Sequence, residues 1–546
     1  MYYSDICRVL GRFFYAFAAL MLIPFGLALY YDYYVKDIYP TCTYAFLWTA
    51  VLTALVGLIL SFFGRKSKKN FRLFRRESLL TMVLVWLLAP LVSMLPFIFS
   101  STLESPFLAY FETVSALTTT GSTVMCPKKY EGLNEVAYID KDYGDLGAYY
   151  IYNGTIEPIR NTENKIIVEG IEAVAKPILF WRSFLNWIGG LGIIVIFSAV
   201  LPVLGMGGKI FLFAEMTGPV KEGFTPRIIE TARHLWKIYL FISAAQLILL
   251  LFTNPLLSFF DAVCITFSTV STGGLSVKNQ SIASYANPAT EWVVIIFMFL
   301  GSVNFYLFYF LIKGKIYRLY NPELLAFLAI ILISGFFTAG QLYGFDRVSL
   351  DGSVQGSYTA TEALRYGFFQ TVSAQSSCGF ATANYDQWPY VVQALMLILI
   401  FIGGMSGSTS GGMKVIRPMM LFRVVCNKIE LLFRPATIRQ LRIGKEEFGL
   451  ESAQMVFCFF AAYIAISVAA VFLFTLDHVD PETALGLVSA TINNSGLGFR
   501  QAGPTLSCAF LSPFGAMLGS FLMLLGRLEL FAILVILVPA FWKQTE

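Results

Sequence analysis

The sequence FETVSALTTTG at Phe111–Gly121 decides the fold, because it returns three more times in the chain. A close copy, FQTVSAQSSCG, lies at Phe369–Gly379, and looser copies lie at Phe267–Gly274 (FSTVSTGG) and Val488–Gly496 (VSATINNSG). Each copy is a short apolar segment followed by Thr, Ser or Asn and then glycine, and each lies between two long apolar segments. Four copies in one chain predict a pore of pseudo-fourfold symmetry, with the glycine stretches meeting on its axis.

The residues before these copies are typical helix starts. Ser105-Pro106, Asn254-Pro255 and Asp480-Pro481 each pair a good N-cap with proline at the first helical position, and Thr359 with Glu362 has capping-box spacing. We therefore expect four short re-entrant helices whose negative C-terminal ends point at the glycine loops, which favours a cation there. The alternative is four unrelated Ser/Thr-Gly turns, but that does not explain why caps, copies and flanking segments recur together.

The glycines predict where an ion would bind. Glycine allows backbone angles closed to other residues and lets the chain approach an axis closely. Irregular backbone at membrane depth is tolerated where it lines a wet cavity, and carbonyl oxygens presented there can replace the hydration shell of a cation. The predicted ion-binding residues are Thr119, Thr120, Gly121, Ser271, Thr272, Gly273, Ser377, Cys378, Gly379, Asn494, Ser495 and Gly496, and Gly274 competes with Gly273 for its role.

The composition is that of a polytopic membrane protein. The 546 residues are 57% hydrophobic and 13% charged, about half the charged fraction of a typical soluble protein. The net charge of +5 is too small to suggest nucleic acid as a partner. Eight scattered cysteines form no disulfide framework, and two distant histidines argue against a histidine-rich metal site.

The chain begins with two predicted spans, Val9–Tyr30 and Tyr44–Phe63, which are not followed by a glycine loop. The next stretch, Arg65–Arg76, has seven Lys or Arg among twelve residues and is cytoplasmic by the positive-inside rule. Basic connections at Lys209–Arg233, Lys313–Arg318 and Lys414–Lys445 fall on the same side. The pattern predicts an all-α protein with ten transmembrane helices, four re-entrant pore helices and both termini in the cytoplasm.

The pattern divides the chain into five parts. They are 1–77 (two N-terminal spans and a basic loop), 78–233 (first pore repeat, with an outer insert at 126–176), 234–321 (second repeat), 322–449 (third repeat) and 450–546 (fourth repeat).

Several long segments resemble the potassium-translocating subunits of the Trk/Ktr/HKT superfamily. They are WRSFLNWIGGLGIIV (Trp181–Val195), GFTPRIIETARHLW (Gly223–Trp236), CGFATANYDQWP (Cys378–Pro389), FIGGMSGSTSGGMKVIRP (Phe401–Pro418) and LGRLELF (Leu525–Phe531). The resemblance implies potassium uptake across a bacterial inner membrane by a homodimer with one pore per subunit, controlled by a cytosolic ring of nucleotide-binding TrkA-like subunits. For this chain we expect no bound cofactor and no enzymatic activity. The sequence departs from the family in its long outer insert and in Cys378, where Thr is expected.

The segment 403–412 breaks the second span of the third repeat. Its five glycines, Gly403, Gly404, Gly407, Gly411 and Gly412, each disfavour a helix by about 1 kcal/mol relative to alanine. It lacks the GK[ST] ending of a phosphate-binding loop. The resemblance implies an intramembrane loop that acts as a gate and lies beneath the selectivity filter, which the four glycine loops would form. The alternative is a loosely packed kink.

Arg527 lies within the apolar run Ala516–Phe541. A charged side chain at the centre of a bilayer costs ~2.5–3.5 kcal/mol on insertion scales, so it should face the protein interior. The resemblance places it near the gate loop as an electrostatic barrier, and the alternative is an ion pair with Glu529 or Glu112. Lys414 and Arg417, at the end of the broken span, are interpreted as snorkelling interface residues.

The sequence allows three classes of function to be compared. The leading hypothesis is a gated, channel-like pore for potassium uptake. A proton- or sodium-coupled symporter would favour carboxylates within the spans, whereas most carboxylates here lie in loops. A membrane enzyme would need clustered His, Asp or Cys at catalytic spacing, and the sequence shows no such cluster.

Overall fold

The computed structural model describes residues 3–35, 38–66, 75–131, 134–136, 138–140, 150–152, 154–161, 163–190, 192, 228–350, 352–434, 441–444 and 446–543. Parts of the first basic run, of the outer insert and of the connection 209–233 lie outside these ranges.

The described chain is dominated by helices. They are α1 (Tyr3–Leu20), α2 (Leu22–Leu29), α3 (Thr43–Phe63), α4 (Arg75–Ser93), α5 (Leu95–Phe99), α6 (Pro106–Leu117), α7 (Lys176–Gly190), α8 (Ile228–Thr253), α9 (Phe259–Val270), α10 (Pro288–Ser302), α11 (Phe305–Ile312), α12 (Pro322–Leu342), α13 (Ala360–Gln375), α14 (Tyr390–Ile402), α15 (Ile416–Phe433), α16 (Leu450–Leu476), α17 (Pro481–Ile492), α18 (Pro513–Arg527), α19 (Phe531–Leu537) and α20 (Pro539–Trp542). A π-helical turn, Tyr30–Val35, extends α2.

The strands form short antiparallel hairpins in the connections between helices. They are β1 (Lys129–Glu131) with β2 (Asn134–Val136), β3 (Tyr138–Asp140) with β4 (Tyr150–Tyr152), β5 (Ile159–Arg160) with β6 (Ile166–Val168), β7 (Asp346–Val348) with β8 (Val354–Ser357), and β9 (Leu441–Ile443) with β10 (Glu446–Phe448). The first three hairpins belong to the outer insert. The prediction of an all-α polytopic architecture is confirmed.

The long helices match the predicted spans. Within the described residues six helical segments are long and apolar enough to cross a membrane, and two bent pairs, α10–α11 (93°) and α18–α19 (114°), bring the number to eight. The two other predicted spans are α7, whose described part ends at Gly190, and α14, which is followed by the segment 403–412. Large apolar side chains such as Phe252, Leu256 and Ile333 are exposed on the outside of the helical bundle, as expected for side chains that face lipid.

The four predicted re-entrant helices are α6, α9, α13 and α17. Three of them have 12 residues and α13 has 16. A 12-residue helix is about 18 Å long, well short of the bilayer core. Each follows one long helix and precedes another, so the span, short helix, span order occurs four times.

The helix starts agree with the sequence in three of the four repeats. α6 begins at Pro106, Thr359 and Glu362 form the expected capping box, and the Asp480 carboxylate accepts the Thr483 N–H at 2.8 Å. The prediction for Asn254-Pro255 is wrong. Asn254 ends the preceding turn through its N–H to the Leu250 carbonyl, and α9 begins four residues later, where the Ser258 hydroxyl accepts the Asp261 N–H.

Three clusters of buried apolar side chains hold the bundle together. One joins the N-terminal helices to the first and fourth repeats, the second is centred on the second repeat, and the third lies in the third repeat. The four short helices lie among these clusters, and the last residues of each are buried. The packing therefore brings the four helix ends towards one region.

Candidate functional site

The four short helices end with the same backbone motif. The residue after each C-cap is left-handed, with φ of 56° at Thr119, 54° at Thr272, 53° at Ser377 and 49° at Asn494. The next N–H bonds to a carbonyl five residues back: Thr120 to Ser115, Gly273 to Ser268, Cys378 to Ser373 and Ser495 to Ala490, at 2.8–3.0 Å. This is the Schellman arrangement, here without its usual glycine. A left-handed non-glycine residue costs roughly 1–2 kcal/mol, and strain of this kind collects at functional sites.

Four glycines follow these left-handed residues and form a closed ring. Their φ values are 89° at Gly121, 65° at Gly274, 92° at Gly379 and 65° at Gly496. A Cβ atom added to each would come within 3.0 Å of a carbonyl oxygen in the next loop: Gly121 meets Gly273, Gly274 meets Cys378, Gly379 meets Ser495 and Gly496 meets Thr120. The loops therefore contact each other in cyclic order. The positive φ values disfavour any residue other than glycine, and the short distances leave no space for a Cβ atom.

The ring corrects the predicted register of the second loop by one residue. Gly274, and not Gly273, has the positive φ and the loop-to-loop contact of the other three glycines. Thr272-Gly273 is then equivalent to Thr119-Thr120, Ser377-Cys378 and Asn494-Ser495, while Ser271 is the C-cap of α9. The sequence could not separate two adjacent glycines; the backbone dihedral angle does.

One face of the ring opens into a cavity of about 390 Å³, which we call the vestibule. The lining includes all four ring glycines, Gly121, Gly274, Gly379 and Gly496, together with Arg182, Lys129 and Lys278. Part of the outer insert, near Glu169 and Ile171, also lines it. Within the described ranges no group of three His, Cys, Asp or Glu side chains is placed to hold a metal ion. The oxygens that approach the four ring glycines most closely are backbone carbonyl oxygens of the neighbouring loops.

The segment 403–412 packs against the opposite face of the ring. Thr272 Oγ1 donates to Thr409 Oγ1 at 3.2 Å, Ser377 Oγ donates to Ser410 Oγ at 3.3 Å, and the Gly412 N–H reaches the Asn493 carbonyl at 2.9 Å. Ser377 Oγ also accepts the Gly411 N–H. The segment thus contacts loops of the second, third and fourth repeats.

The segment itself is ordered by further hydrogen bonds. The N–H groups of Met405 and Thr409 bond to the Ser302 and Gly301 carbonyls, at 3.1 and 3.3 Å. Gly403, Gly407 and Gly412 have positive φ, so the chain turns three times between α14 and α15. Irregular backbone inside a membrane protein needs such internal partners. The segment is a packed loop, and the alternative of a loosely packed kink does not describe it.

Arg527 is at the end of α18 and bridges three elements. One guanidinium nitrogen donates to Thr119 Oγ1 at 3.2 Å and to the Thr409 carbonyl at 3.0 Å, and the other donates to the carbonyls of Gly189 and Gly190. Its partners therefore include the first glycine loop, the segment 403–412 and the end of α7.

A glycine in three of the second spans explains how Arg527 reaches this position. A Cβ on Gly189, Gly301 or Gly526 would strike the carbonyl of the last residue of the short helix in the same repeat, namely Leu117, Val270 or Ile492. The three glycines are therefore equivalent, and the residues that follow them are Gly190, Ser302 and Arg527. Sequence reasoning missed this set, although a glycine followed by a small residue near the end of a span was a visible signal.

Both carboxylates considered as partners of Arg527 pair with other arginines. Glu112 accepts from Arg182 at 2.7 and 2.8 Å, and Glu529 accepts from Arg417 at 2.5 Å. The interpretation of Lys414 and Arg417 as snorkelling residues is wrong, because their exposed fractions are 3% and 7%. Lys414 Nζ donates to the Ser410 carbonyl, so it is part of the packing beneath the ring.

Two further breaks in the second spans were not predicted. α10 and α11 are separated at Val303-Asn304, where the Asn304 side chain caps α11 by accepting the Tyr306 N–H at 2.9 Å. α18 and α19 are separated at Glu529-Leu530, which both have positive φ. The sequence contained a signal for each break: Asn304 in the first span, and the charged residues Arg527 and Glu529 in the second.

Known proteins resemble this chain over its whole length. A family model described as a cation transport protein, TrkH, matches residues 161–544. The chain is 31% identical over 551 residues to the Trk system potassium uptake protein TrkH of Salmonella typhimurium, with 100% of both chains covered. It is 29% identical over 543 residues to the Trk system potassium uptake protein TrkG of Escherichia coli, covering 99% of this chain and 98% of the relative. The crystal structure of the potassium transporter TrkH from Vibrio parahaemolyticus superimposes with a TM-score of 0.77 at 29% identity, with 100% of both chains covered. The chain therefore belongs to the TrkH family of cation transport proteins.

Proposed function

We propose that this chain takes up potassium ions across a bacterial inner membrane through a gated, channel-like pore, with the four glycine loops as its selectivity filter. The observation that carries the proposal is the closed ring of Gly121, Gly274, Gly379 and Gly496. Relatives along the whole length are named as potassium uptake proteins, which supports the choice of ion.

The chemistry of the ring suits a large monovalent cation. Carbonyl oxygens from four equivalent loops can replace the water around potassium without a full negative charge to trap the ion. The four short helices also end at the ring, so their negative C-terminal ends favour a cation there. The neighbouring glycines keep Cβ atoms away from the carbonyls of Thr120, Gly273, Cys378 and Ser495, which we assign to ion binding.

We assign the gate to the segment 403–412 together with Arg527. The segment packs against three glycine loops, and Arg527 touches the remaining one. A guanidinium stays protonated at physiological pH, and repulsion between it and a passing cation is strong where water is scarce. Opening would require the segment and Arg527 to move away from the ring.

The assembly we propose is a homodimer, with both termini of each subunit in the cytoplasm and a TrkA-like nucleotide-binding ring on the cytosolic side. The support is the family membership and the names of the relatives, which refer to a Trk system. We propose no cofactor and no nucleic acid partner for this chain. Membrane lipid would cover the exposed apolar side chains.

Ion flux into proteoliposomes tests this function. Purified protein is reconstituted, and uptake of potassium, rubidium and sodium is measured under a fixed membrane potential, with and without a proton gradient. A channel-like pore predicts that potassium uptake follows the potential alone and exceeds sodium uptake. Uptake that requires a proton or sodium gradient would instead establish the coupled symporter, and equal fluxes of all three ions would refute the filter.

A further inference from the structure

One buried arginine outside the ring connects two of the glycine loops. Arg182 lies on α7 and its side chain is 1% exposed. Its Nε and one terminal nitrogen contact Glu112 Oε1 at 2.8 and 2.7 Å, and that terminal nitrogen also reaches Thr123 Oγ1 at 3.1 Å. The other terminal nitrogen donates to the Ser276 carbonyl at 3.2 Å. Thr123 follows the first ring glycine by two residues, and Ser276 follows the second ring glycine by two residues.

Glu112 completes the attachment of the first loop. It lies on α6, is fully buried, and accepts the Val124 N–H at 2.9 Å and the Thr123 hydroxyl at 3.0 Å in addition to Arg182. The carboxylate therefore fixes the exit of the first loop to its own short helix. Arg182 then fixes that exit to the exit of the second loop.

The other short helices differ at this position. Counting back from the equivalent ring glycines, Glu112 corresponds to Ile265, Gln370 and Leu487, none of which is charged. Gln370 Nε2 reaches the Phe380 carbonyl of its own loop at 3.4 Å, which is a local contact within the third repeat. The Glu112–Arg182 pair thus adds an ionic connection between neighbouring loops. Ile265, Gln370 and Leu487 are uncharged and cannot form such an ion pair.

We propose that Arg182 is a positioning residue that sets the spacing between the first and second glycine loops and thereby the preference of the pore for potassium over sodium. The inference rests on the proposed function, since it assumes that the ring is the filter. Arg182 does this without touching the ion: its guanidinium presents donors in a rigid planar fork, so one side chain holds Glu112, Thr123 and Ser276 together. A shift of either loop changes the spacing of the Thr120 and Gly273 carbonyls, to which a small ion and a larger ion respond differently.

The effect of the charge of Arg182 can be separated from its effect on loop position, because Glu112 and Arg182 form a neutral pair beside the vestibule. Lysine at position 182 keeps the positive charge but has no planar fork, so it cannot hold all three partners in the same geometry. Removing only Glu112 leaves a buried positive charge next to the cation pathway, which should reduce flux and destabilise the fold. Neutralising both residues removes the charge problem but also the connection between the loops.

The experiment compares wild type, Arg182→Lys, Glu112→Gln and the double variant Glu112→Gln/Arg182→Gln in the same proteoliposomes. Arg365→Lys is the matched control, because Arg365 also pairs with a buried carboxylate, Glu291 at 2.9 Å. Potassium and sodium fluxes are measured singly and in competition, and each flux is divided by the amount of folded protein from size-exclusion chromatography and thermal unfolding.

We expect the potassium-to-sodium flux ratio of Arg182→Lys to fall about threefold to tenfold while potassium flux stays within about twofold, as for one or two lost hydrogen bonds. The double variant should regain the stability lost in Glu112→Gln but keep the lower ratio, and Arg365→Lys should keep the wild-type ratio. A merely structural pair would change the amount of folded protein without changing the ratio.

Two results would overturn the inference in distinguishable ways. If wild type prefers potassium and folded Arg182→Lys and the double variant both keep the wild-type ratio, Arg182 does not position the loops, and the proposed function stands. If wild type itself does not distinguish potassium from sodium, the filter assignment fails and this inference fails with it.

Discussion

The two faces of the glycine ring differ in how closely they follow the fourfold repeat. On the vestibule face the four loops share one backbone conformation and one cyclic set of contacts. On the opposite face each left-handed residue meets a different partner. Thr119 meets Arg527, Thr272 meets Thr409, Ser377 meets Ser410, and Asn494 donates to the Met523 carbonyl at 2.8 Å.

This difference separates two physical requirements. Replacing the hydration shell of an ion needs several equivalent oxygens, because each one removes part of the same shell. Blocking a pathway needs only one obstacle, since a single displaced segment or charge changes the barrier. In the proposed function, the repeat is kept at the filter, where four equal contacts are useful, and lost at the gate, where one obstacle suffices.

The largest effect should come from breaking the ring itself. Gly274→Ala adds a Cβ at a φ of 65° and directly against the Cys378 carbonyl, so we expect potassium flux to fall by more than about tenfold. Gly273→Ala is the matched control, because its Cβ would meet the side chain of Asn186, Cγ at 2.6 Å, which can move. Flux assays on both folded variants decide; a greater loss in Gly273→Ala would return the register to the original prediction.

Removing part of the proposed gate on the opposite face should have the next largest effect. Deletion of Gly403–Gly407 removes the Met405 bond to Ser302 and shortens the segment that packs against the ring, so we expect rubidium flux without any cytosolic partner to rise severalfold. Thermal unfolding and size-exclusion chromatography on the same preparation confirm that the protein is folded. Unchanged flux in a folded, dimeric protein would place the gate elsewhere.

A smaller increase should follow from removing one charge on that face. Arg527→Ala deletes the guanidinium that contacts Thr119 and Thr409, so flux should rise, and Arg527→Lys should change it less because the charge remains. Arg417→Ala serves as the comparison, since it breaks a partly buried ion pair with Glu529 and should mainly reduce stability. If Arg527→Ala lowers stability and leaves flux per folded protein normal, the barrier role is wrong.

The smallest effect should come from Glu157, a residue of the outer insert that contacts Lys128 and Tyr130 rather than the ring. Burial raises the pKa of Glu157, but hydrogen bonds from Lys128 and Tyr130 outweigh this and lower the pKa below its ordinary value. A carboxyl group with a lowered pKa stabilises the fold above its ordinary pKa, and that contribution is lost as pH falls through the lowered value. Glu157→Gln should slightly reduce the melting temperature at neutral pH, with the difference disappearing in acid, and should leave the flux ratio unchanged. A changed ratio would show that the insert shapes the filter.

The sequence predicted the repeated parts of this molecule well. Four copies of one motif identified the four short helices, and local chemistry identified three of their starts. Proline at the first position marks the start of α6, where Ser105 makes no side-chain cap, and capping side chains that bond to nearby backbone N–H groups mark the starts of α13 and α17. Thr359 with Glu362 and Asp480 with Thr483 show this directly. Asn254 misled because an Asn-Pro pair also suits the end of a helix, and only the later Ser258 cap decides between the two uses.

Contacts between distant segments could not be predicted in the same way. The carboxylate of Glu112 has its partner 70 residues away, on α7, and no periodicity in the chain connects the two. Arg417 and Lys414 were misplaced for the same reason, since a charge near the end of a span is equally consistent with a lipid interface and with a buried partner. The register of the second loop depended on which of the adjacent residues Gly273 and Gly274 has a positive φ, and the sequence does not show this.

The covalent linkage of the four repeats allows the charge that we propose as a barrier, Arg527, to occur once in the ring. The equivalent glycines Gly189, Gly301 and Gly526 are followed by Gly190, Ser302 and Arg527. A pore assembled from four identical chains would have to carry an arginine at this level in every copy, and four neighbouring guanidiniums would repel each other as well as the ion. A single chain that contains all four repeats can carry one such charge. A substitution at position 527 then changes the proposed barrier in one repeat and leaves the other three repeats unchanged.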